Sequence, residues 1–153
     1  MTDSCYFEFF GKNIYLEASA KGLTLLSFDH RTHTAQEEIT NKHLQKAKRQ
    51  IEEYFNGRRK YFDLDLDLRG TEFQISVWQA LQSIPFAKTI SYKDLALKIS
   101  KPKAVRAVGN ANAKNSLPLI IPCHRVILSD GKLGGYSGGR GIKSMLINFE
   151  LGQ

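Results

Sequence analysis

The first third of the chain shows the short apolar–polar alternation that is typical of β-strands. Residues 5–10 and 14–18 are rich in aromatic and aliphatic side chains and flank a short turn that contains glycine, so we predict a hairpin. A third strand is predicted over 23–28. From about 34 to 55 the apolar positions recur at helical spacing and a glycine follows them, which predicts one helix. Residues 63–68 alternate aspartate and leucine, as a strand or an extended connector with one apolar face does.

After Gly70 the pattern changes from strands to helices. Residues 71–74 and 91–94 each have the spacing of a capping box, in which a hydroxyl side chain and a side chain three residues later bond the first amides of a helix. Each is followed by an apolar run at helical spacing. A third helix is predicted over about 103–113, with Pro102 in its first turn, where proline is tolerated.

Two short helices joined by a tight turn at 99–102 are similar to a helix-turn-helix. The chain is therefore predicted to be an α/β (α+β) protein with two domains. Residues 1–69 form a small sheet plus one helix, and residues 70–153 form a mainly helical domain. A chain of 153 residues is long enough for two small domains that share a core.

The charge of the chain is unevenly distributed. The formal net charge is +7. Residues 1–69 contain 11 basic and 11 acidic side chains, whereas residues 70–153 contain 11 basic and 4 acidic ones. The whole excess therefore lies in the second half, which predicts a partner with a regular negative charge, nucleic acid first. A merely soluble basic domain is the alternative.

Composition limits the compartment in which the protein works. The chain has 42% hydrophobic and 24% charged residues, as soluble globular proteins have. No apolar stretch approaches the roughly 20 residues of a membrane helix, and the N-terminus lacks the basic start and apolar run of a secretory signal. Two cysteines are too few for a disulfide framework. We therefore expect an intracellular, reducing location, cytoplasmic or, in a eukaryote, nuclear, and no membrane partner.

The segment 122–126, with the sequence PCHRV, holds a cysteine between a proline and a histidine and precedes a glycine-rich loop at 131–141. A free cysteine has a pKa of about 8.5, so a nucleophilic thiol needs a base or a positive charge nearby. His124 is adjacent in sequence, but neighbours in an extended segment point to opposite faces, so a turn or a bridging water is needed. Glu150 is a candidate to orient the histidine. The alternative is an inert, buried cysteine.

A string of short motifs follows in order along the second half of the chain. The motifs occupy residues 73–74, 77–78, 91–92, 106–109, 115, 122–126 and 136–139. In order and spacing this string closely resembles the alkylguanine-DNA alkyltransferases, also called methylated-DNA–protein-cysteine methyltransferases. The resemblance covers nearly all of residues 70–153, the DNA-binding and alkyl-transfer domain of the family. Residues 1–69 match it in layout only, as a variable N-terminal domain that resembles a ribonuclease H-like α/β unit.

The resemblance implies a DNA repair reaction that needs no cofactor. It implies that Cys123 attacks the alkyl carbon on the six-position oxygen of alkylguanine in DNA and keeps it as a thioether, so that each molecule acts once. Alkylthymine stays open as a second substrate. In the family pattern His124 deprotonates the cysteine through a water molecule and Glu150 holds the histidine. Tyr92 would donate a proton to the guanine ring, and Asn115 would brace the turn that carries the cysteine.

The resemblance also implies how double-stranded DNA is bound. The second helix of the helix-turn-helix enters the minor groove, the damaged nucleotide turns out of the duplex, and an arginine fills the vacated space. The expected DNA contacts are Ala104, Val105, Arg106, Ala107, Gly109 and Arg125. The expected walls of the pocket for the flipped base are Val126, Gly134, Tyr136, Ser137 and Gly138. A monomer is expected, and cooperative binding along DNA stays open.

Two positions depart from the family pattern. Ser116 stands where the family usually has proline, and Ala87 stands where it usually has glycine. Some family members bind zinc through cysteine and histidine in the N-terminal domain. The residues of those types in this chain have no recognisable ligand spacing, so no metal is expected. These residues are Cys5, His30, His33 and His43.

Three other functions stay open. The first is a sensor that binds alkylated DNA without repairing it, although such relatives of the family lack the cysteine. The second is a cysteine hydrolase, which needs multiple turnovers, an oxyanion hole and a separately placed histidine. The third is a helix-turn-helix regulator, whose sequence-selective binding would survive Cys123→Ser.

Overall fold

The computed structural model describes residues 2–9, 11–29, 38–134, 136 and 140–153. The chain divides into two compact units, residues 1–69 and 70–153. No helix in the described part of the chain is long and apolar enough to cross a membrane. Several positions that the sequence singles out lie outside the described residues, namely Phe10, His30, His33, Ser137, Gly138 and Gly139.

The first unit is built on an antiparallel sheet of three strands in the order β1-β2-β3. The strands are β1 (Asp3–Phe9), β2 (Lys12–Ala18) and β3 (Leu23–Asp29). Alternate residues of β2 are fully buried, among them Ile14 and Leu16, as expected for a strand with one apolar face. The predicted hairpin and third strand are therefore confirmed.

One helix, α1 (Lys42–Phe55), packs against β1 and β2. It begins later than predicted, because residues 38–41 are not helical. The side chain of Asn41 accepts hydrogen bonds from the amides of His43 and Leu44 and so caps the helix at this point. The start of α1 is thus set by the side chain of Asn41, which the spacing of apolar residues alone does not show.

The aspartate–leucine alternation at 63–68 forms an extended connector beside β3. The amide of Leu23 donates to the carbonyl of Asp65 (2.9 Å), and the amide of Asp67 donates to the carbonyl of Leu23 (2.8 Å). Leu66 makes an isolated parallel bridge with Leu23. Of the two structures predicted for this segment, the extended connector is the one observed.

The second unit is mainly helical. Its helices are α2 (Glu72–Leu81), α3 (Tyr92–Lys98), α4 (Val105–Ala113) and α5 (Arg140–Leu151), and its short strands are β4 (Ile90–Ser91) and β5 (Val126–Ile127). Both predicted capping boxes are present, with Thr71 and Gln74 at the start of α2 and Ser91 and Asp94 at the start of α3. Because these reciprocal bonds are local, they set both helix starts where the sequence predicts them.

Helices α3 and α4 pack against each other and form the predicted helix-turn-helix. The turn between them is tight, with Ser100 in the left-handed conformation at φ +61°. Helix α4 begins at Val105, later than predicted, and Pro102 lies in the turn before it. The indole nitrogen of Trp78 in α2 donates to the carbonyl of Ala111 in α4 (2.9 Å), which fixes α4 against α2.

The parallel pairing of β4 and β5 brings distant parts of the second unit together. Ile90 pairs with Val126 and Ser91 pairs with Ile127. Strand β4 leads directly into Tyr92, the first residue of α3, and β5 follows a single 3-10 turn, Cys123–Arg125. The pairing therefore places the start of α3 beside the segment that carries the cysteine.

Candidate active site

Cys123 lies on the 3-10 turn that begins directly after Pro122. The amide of Cys123 donates to the carbonyl of Ile121 (2.7 Å), and the amide of Arg125 donates to the carbonyl of Pro122 (3.0 Å). The side chain of Cys123 is buried. Because the segment is a turn, the rule that neighbouring side chains of an extended chain point to opposite faces does not apply here.

Asn115 braces the loop that leads to the cysteine. Its side-chain nitrogen donates to the carbonyl of Ile121 (2.8 Å), and its side-chain oxygen accepts from the amide of Leu117 (2.9 Å). The braced loop contains Leu119 in the left-handed conformation at φ +76°. A non-glycine residue in this conformation costs about 1–3 kcal/mol and persists only where its surroundings hold it. The two bonds of Asn115 supply such a constraint just before Cys123.

Glu150 of α5 is the centre of a buried cluster of charged side chains. Its Oε2 lies 2.8 Å from Nε2 of His124 and accepts from Nη2 of Arg125 (2.9 Å). Its Oε1 accepts from Nε of Arg125 (3.0 Å) and from the backbone amide of Ala87 (3.1 Å). The three residues are at most 6% exposed. Four contacts therefore converge on one carboxylate, and the structure brings Glu150 and His124 together.

His124 is held as a neutral base. Burial lowers the pKa of His124 below its usual value of 6.5, and the hydrogen bond and charge of Glu150 oppose this shift only in part. With Nε2 donating to the carboxylate, the lone pair of the neutral ring is on Nδ1. The buried Nδ1 has no hydrogen-bond partner among the residues that the structure describes. This nitrogen is therefore free to accept a proton.

Arg125 is not accessible as the DNA contact that the sequence predicts, because its guanidinium is buried in the protein. Its guanidinium is buried, with two nitrogens on Glu150 and a third, Nη1, donating to the carbonyl of Ile84 (2.7 Å). It also lies 5.7 Å from the ring centre of Phe86. The bidentate geometry is the strong form of an arginine–carboxylate pair. Its donors are thus directed at the protein interior and not at a phosphate.

Ala87 adopts a conformation that favours glycine. Its φ is +64°, and this conformation directs its amide to Glu150. We predict that Ala87→Gly raises the free energy of unfolding by about 1 kcal/mol, because glycine has no Cβ to strain there. Urea unfolding checks this through a higher midpoint with an unchanged slope.

The matched control for Ala87→Gly is Ala80→Gly in the helix α2. There glycine replaces alanine in a helical conformation and is expected to lower the free energy of unfolding by about 0.5–1 kcal/mol. A midpoint for Ala87→Gly at or below that of the parent protein would contradict the prediction.

A cleft of about 290 Å³ lies between the helix-turn-helix and the segment after β5. Its lining residues are Tyr92, Val105, Gly109, Ala113, Leu128 and Gly134. Four of these were predicted as site residues from the sequence. Of the other two, Ala113 could have been found from spacing, since it lies four residues after Gly109 on one helix face, whereas no spacing marks Leu128, which follows β5. Of the predicted walls, Val126 is fully buried and Tyr136 is half-buried.

Two glycines let the backbone approach Tyr92 closely. A Cβ on Gly134, which has φ +72°, would lie 3.0 Å from the Tyr92 hydroxyl oxygen, and a Cβ on Gly109 would lie 3.7 Å from Cδ1 of the ring. Burial is the main cause that raises the pKa of Tyr92, and the nearby Cys123 raises it further. Tyr92 is therefore a protonated phenol near neutral pH, adjacent to the cysteine and to the cleft.

Helix α4 exposes a surface of mostly small side chains. Arg106 and Ala107 are exposed, whereas Ala104, Val105 and Gly109 are half-buried. Basic side chains before and after the helix are exposed as well; they are Lys101, Lys103 and Lys114. The predicted DNA contacts on this helix therefore lie on or next to one accessible, positively charged surface.

Cys5 differs sharply from Cys123 in its surroundings. It is fully buried in β1 of the first unit, and burial raises the pKa of its thiol to about 11. A thiol of this kind is almost entirely protonated near neutral pH and is a poor nucleophile. The described residues contain no group of three or more His, Cys, Asp or Glu side chains that could hold a metal ion.

Both units match described families. Residues 72–151 match the DNA-binding domain of 6-O-methylguanine DNA methyltransferase, and residues 6–68 match the ribonuclease-like domain of the same proteins. A methylated-DNA–protein-cysteine methyltransferase of Methanosarcina barkeri is 48% identical over 141 residues, which are 90% of this chain and 89% of the relative.

Solved structures agree with the sequence relatives. The crystal structure of the O6-methylguanine methyltransferase of Mycobacterium tuberculosis has a TM-score of 0.87 and 37% identity, covering 99% of this chain and 94% of that one. The complex of the M. tuberculosis OGT with DNA has a TM-score of 0.83 and 37% identity, covering 97% and 92%. The predicted α/β fold, with a ribonuclease-like first domain, is thereby confirmed. The chain belongs to the methylated-DNA–protein-cysteine methyltransferase family.

Proposed function

We propose that this protein repairs DNA by moving the alkyl group from the six-position oxygen of alkylguanine to its own Cys123. The observation that carries the proposal is the Glu150–His124 contact of 2.8 Å on the turn that holds Cys123, which orients a neutral base beside a thiol. The relative from M. barkeri, named as a methylated-DNA–protein-cysteine methyltransferase, supports the choice of substrate.

The transfer begins with the proton of the thiol. Nδ1 of His124 accepts this proton through a bridging water, while Nε2 stays bonded to Glu150. The sulfur then attacks the alkyl carbon, the carbon–oxygen bond breaks, and its electron pair passes to the guanine oxygen. The product is a thioether on Cys123, which does not act as a leaving group. The transfer is therefore irreversible, and each protein molecule acts once.

Tyr92 supplies a proton to the guanine ring as negative charge develops there. Burial, and next the charge of Cys123, raise the pKa of Tyr92, so the phenol keeps its proton until the base attracts it. Its hydroxyl lies at the cleft, where a Cβ on Gly134 would approach it to 3.0 Å.

Double-stranded DNA is the partner in this proposal, and the damaged base leaves the stack to reach the cleft. Extruding a nucleotide costs a few kcal/mol, which contacts to the gap must offset. Helix α4 enters the minor groove, and the exposed Arg106 fills the gap. The structure of the M. tuberculosis OGT with DNA supports DNA as the partner. Because the minor groove carries a degenerate code, little sequence preference is expected.

Intact-mass measurement after mixing with methylated DNA tests the proposal. The expected result is a gain of one methyl group per protein molecule, with an equal amount of guanine restored in the DNA. Tight binding without a mass gain would indicate a damage sensor instead. Repeated turnover on an ester or peptide would indicate a hydrolase, and sequence-selective binding that survives Cys123→Ser would indicate a regulator.

We predict that methyl transfer resists mild acid. Only the neutral form of His124 accepts a proton, and burial holds the pKa of this side chain below 6.5. The single-turnover rate constant should therefore stay level as the pH falls to 6.5 and decline only below it. The measurement is a rate profile from about pH 8 to about pH 5, over which ordinary histidines titrate.

The same ionisation makes stability depend on pH. The unfolded chain takes up a proton on His124 near pH 6.5, before the folded protein does. The free energy of unfolding therefore falls as the pH drops through 6.5 towards the lower pKa of the folded state. His124→Gln should remove this part of the slope of unfolding free energy against pH, whereas His43→Gln in the first unit should keep it.

For the rate profile, a single-turnover rate constant that has already halved at or above pH 6.5 would contradict the assignment of His124 as a neutral base.

A further inference from the structure

Asn112 is a buried polar side chain that the reaction described above does not use. It lies on α4 and is 1% exposed. Neither the nitrogen nor the oxygen of its amide has a hydrogen-bond partner of normal geometry among the residues that the structure describes. Buried amides are nearly always bonded, because an unmade bond in the interior destabilises the fold. An amide kept in this state points to a partner that becomes available during the reaction.

Asn112 lies on the side of α4 that contacts Tyr92. Helix α4 touches the Tyr92 ring at Gly109, where a Cβ would lie 3.7 Å from Cδ1 and 3.9 Å from Cε1. Asn112 lies three residues later, on the same side of the helix. Burial raises the pKa of Tyr92, and the side chain of Asn112 opposes this shift. Helix α4 thus contacts the Tyr92 ring through Gly109 and carries the Asn112 amide on the same side of the helix.

The other groups around Tyr92 do not serve the same purpose. Cys123, on the 3-10 turn, opposes ionisation of the phenol, as burial does more strongly; only Asn112 favours it. Lys143 of α5 lies 5.8 Å from the ring centre, and its Nζ donates to the carbonyls of Val126 and Leu133. Of the groups that change the pKa of Tyr92, burial and Cys123 raise it, whereas the amide of Asn112 lowers it, as a group that favours a phenolate does.

We propose that Asn112 positions the Tyr92 hydroxyl and donates its amide N–H to the phenolate oxygen that forms when Tyr92 gives its proton to the guanine ring. This inference rests on the proposed function. In the step the Tyr92 O–H bond breaks, an N–H bond forms on the guanine ring, and the electron pair stays on the Tyr92 oxygen. Asn112 changes no covalent bond and acts only through Tyr92, so it is a positioning residue. Hydrogen bonds of this kind are often poorly aligned before substrate binds and tighten in the complex.

The first test needs no DNA. A fluorinated tyrosine, whose phenol ionises near neutral pH, is placed at position 92, and its phenolate absorbance is titrated. Asn112→Leu, which keeps the branched shape of the side chain and removes the donor, should lower the acid ionisation constant of this phenol about tenfold. Asn112→Ala should shift it in the same direction and serves if the leucine variant does not fold. Asn148→Leu, an exposed position on α5, should leave it unchanged. An unshifted titration in the folded Asn112 variants overturns the proposal.

The second test is a double-mutant cycle on the single-turnover rate of methyl transfer. Asn112→Leu should slow transfer about tenfold when Tyr92 is present, and by less than about twofold when Tyr92 is already phenylalanine. Equal slowing in both backgrounds would show a general packing role and overturn the proposal. If the parent protein transfers no methyl group, the proposed function fails, and the DNA-free titration still decides whether Asn112 acts on Tyr92.

Discussion

Replacing Cys123 by serine is expected to abolish methyl transfer, with a fall in the single-turnover rate constant on the order of 10³-fold or more. The substitution exchanges sulfur for oxygen at a buried position with little change in volume. A hydroxyl is a far weaker acid than a thiol, so the neutral His124 no longer generates an effective nucleophile. The measurement is the transfer of a labelled methyl group from DNA with the protein in excess.

Cys5→Ser is the matched control for this prediction. Its thiol lies in β1 of the first unit, and burial raises the pKa of Cys5 to about 11, so its removal should leave the transfer rate unchanged. Binding of methylated DNA should survive in both variants, because neither changes the surface of α4. A methyl group found on the Cys123→Ser protein, or on Cys5 of the parent protein, would contradict the assignment of the acceptor.

Glu150→Gln should be among the most destabilising single substitutions in the second unit. The carboxylate accepts two bonds from Arg125, holds His124 at 2.8 Å and accepts from the Ala87 amide. A glutamine offers one acceptor oxygen and turns an NH₂ group towards donors, so the buried guanidinium loses its counter-charge. Breaking one partner of a buried pair costs about 3–5 kcal/mol, and we expect the free energy of unfolding to fall by that amount. Urea unfolding measures this.

The control for Glu150→Gln is Glu52→Gln on α1. Glu52 pairs with Lys48 at 3.7 Å on the surface, where its side chain is 40% exposed. An exposed helical pair of this spacing contributes about 0.3–0.5 kcal/mol. A loss for Glu150→Gln no larger than that for Glu52→Gln would contradict the buried-pair account. Combining Glu150→Gln with Arg125→Met should recover part of the loss, since it removes the unpaired charge.

The Glu150 substitution should affect chemistry as well as stability. Without the carboxylate, the ring of His124 loses the bond that fixes its orientation and its tautomer. The stability-recovering pair of substitutions, Glu150→Gln with Arg125→Met, should therefore still transfer methyl groups slowly. This double variant would separate stability from transfer rate. The charge of Arg125 affects only the stability, whereas the orientation of His124 affects the transfer rate.

Much of the second unit follows from local sequence. The capping boxes at 71–74 and 91–94 start α2 and α3 where predicted, because each bond joins residues only three positions apart. The starts of α1 and α4 were predicted too early, because they too are set by local features, which differ from capping boxes. The cap at Asn41 sets the start of α1, and the turn through Pro102 sets the start of α4. The spacing of apolar residues reveals neither feature.

Positions that bond across long stretches of chain were the ones misjudged or missed. Arg125 follows the cysteine and histidine closely in sequence, yet its partners are the carbonyl of Ile84, 41 residues away, and the carboxylate of Glu150, 25 residues away. Asn112 was not singled out, because an asparagine in a short helix gives no sign of facing a tyrosine from another helix. Ala87 was marked as unusual, but its positive φ and its bond to Glu150 appear only in the fold.

The amino-acid sequence by itself determined the two-part α/β layout, the capped helices and the position of the cysteine, because periodicity, caps and short motifs depend on residues close together in the chain. The tertiary structure alone decided that Arg125 is buried, that His124 is neutral, and that Asn112 is buried on the side of α4 that contacts Tyr92. Those properties depend on desolvation and on charges brought together from distant segments, and no local pattern encodes them.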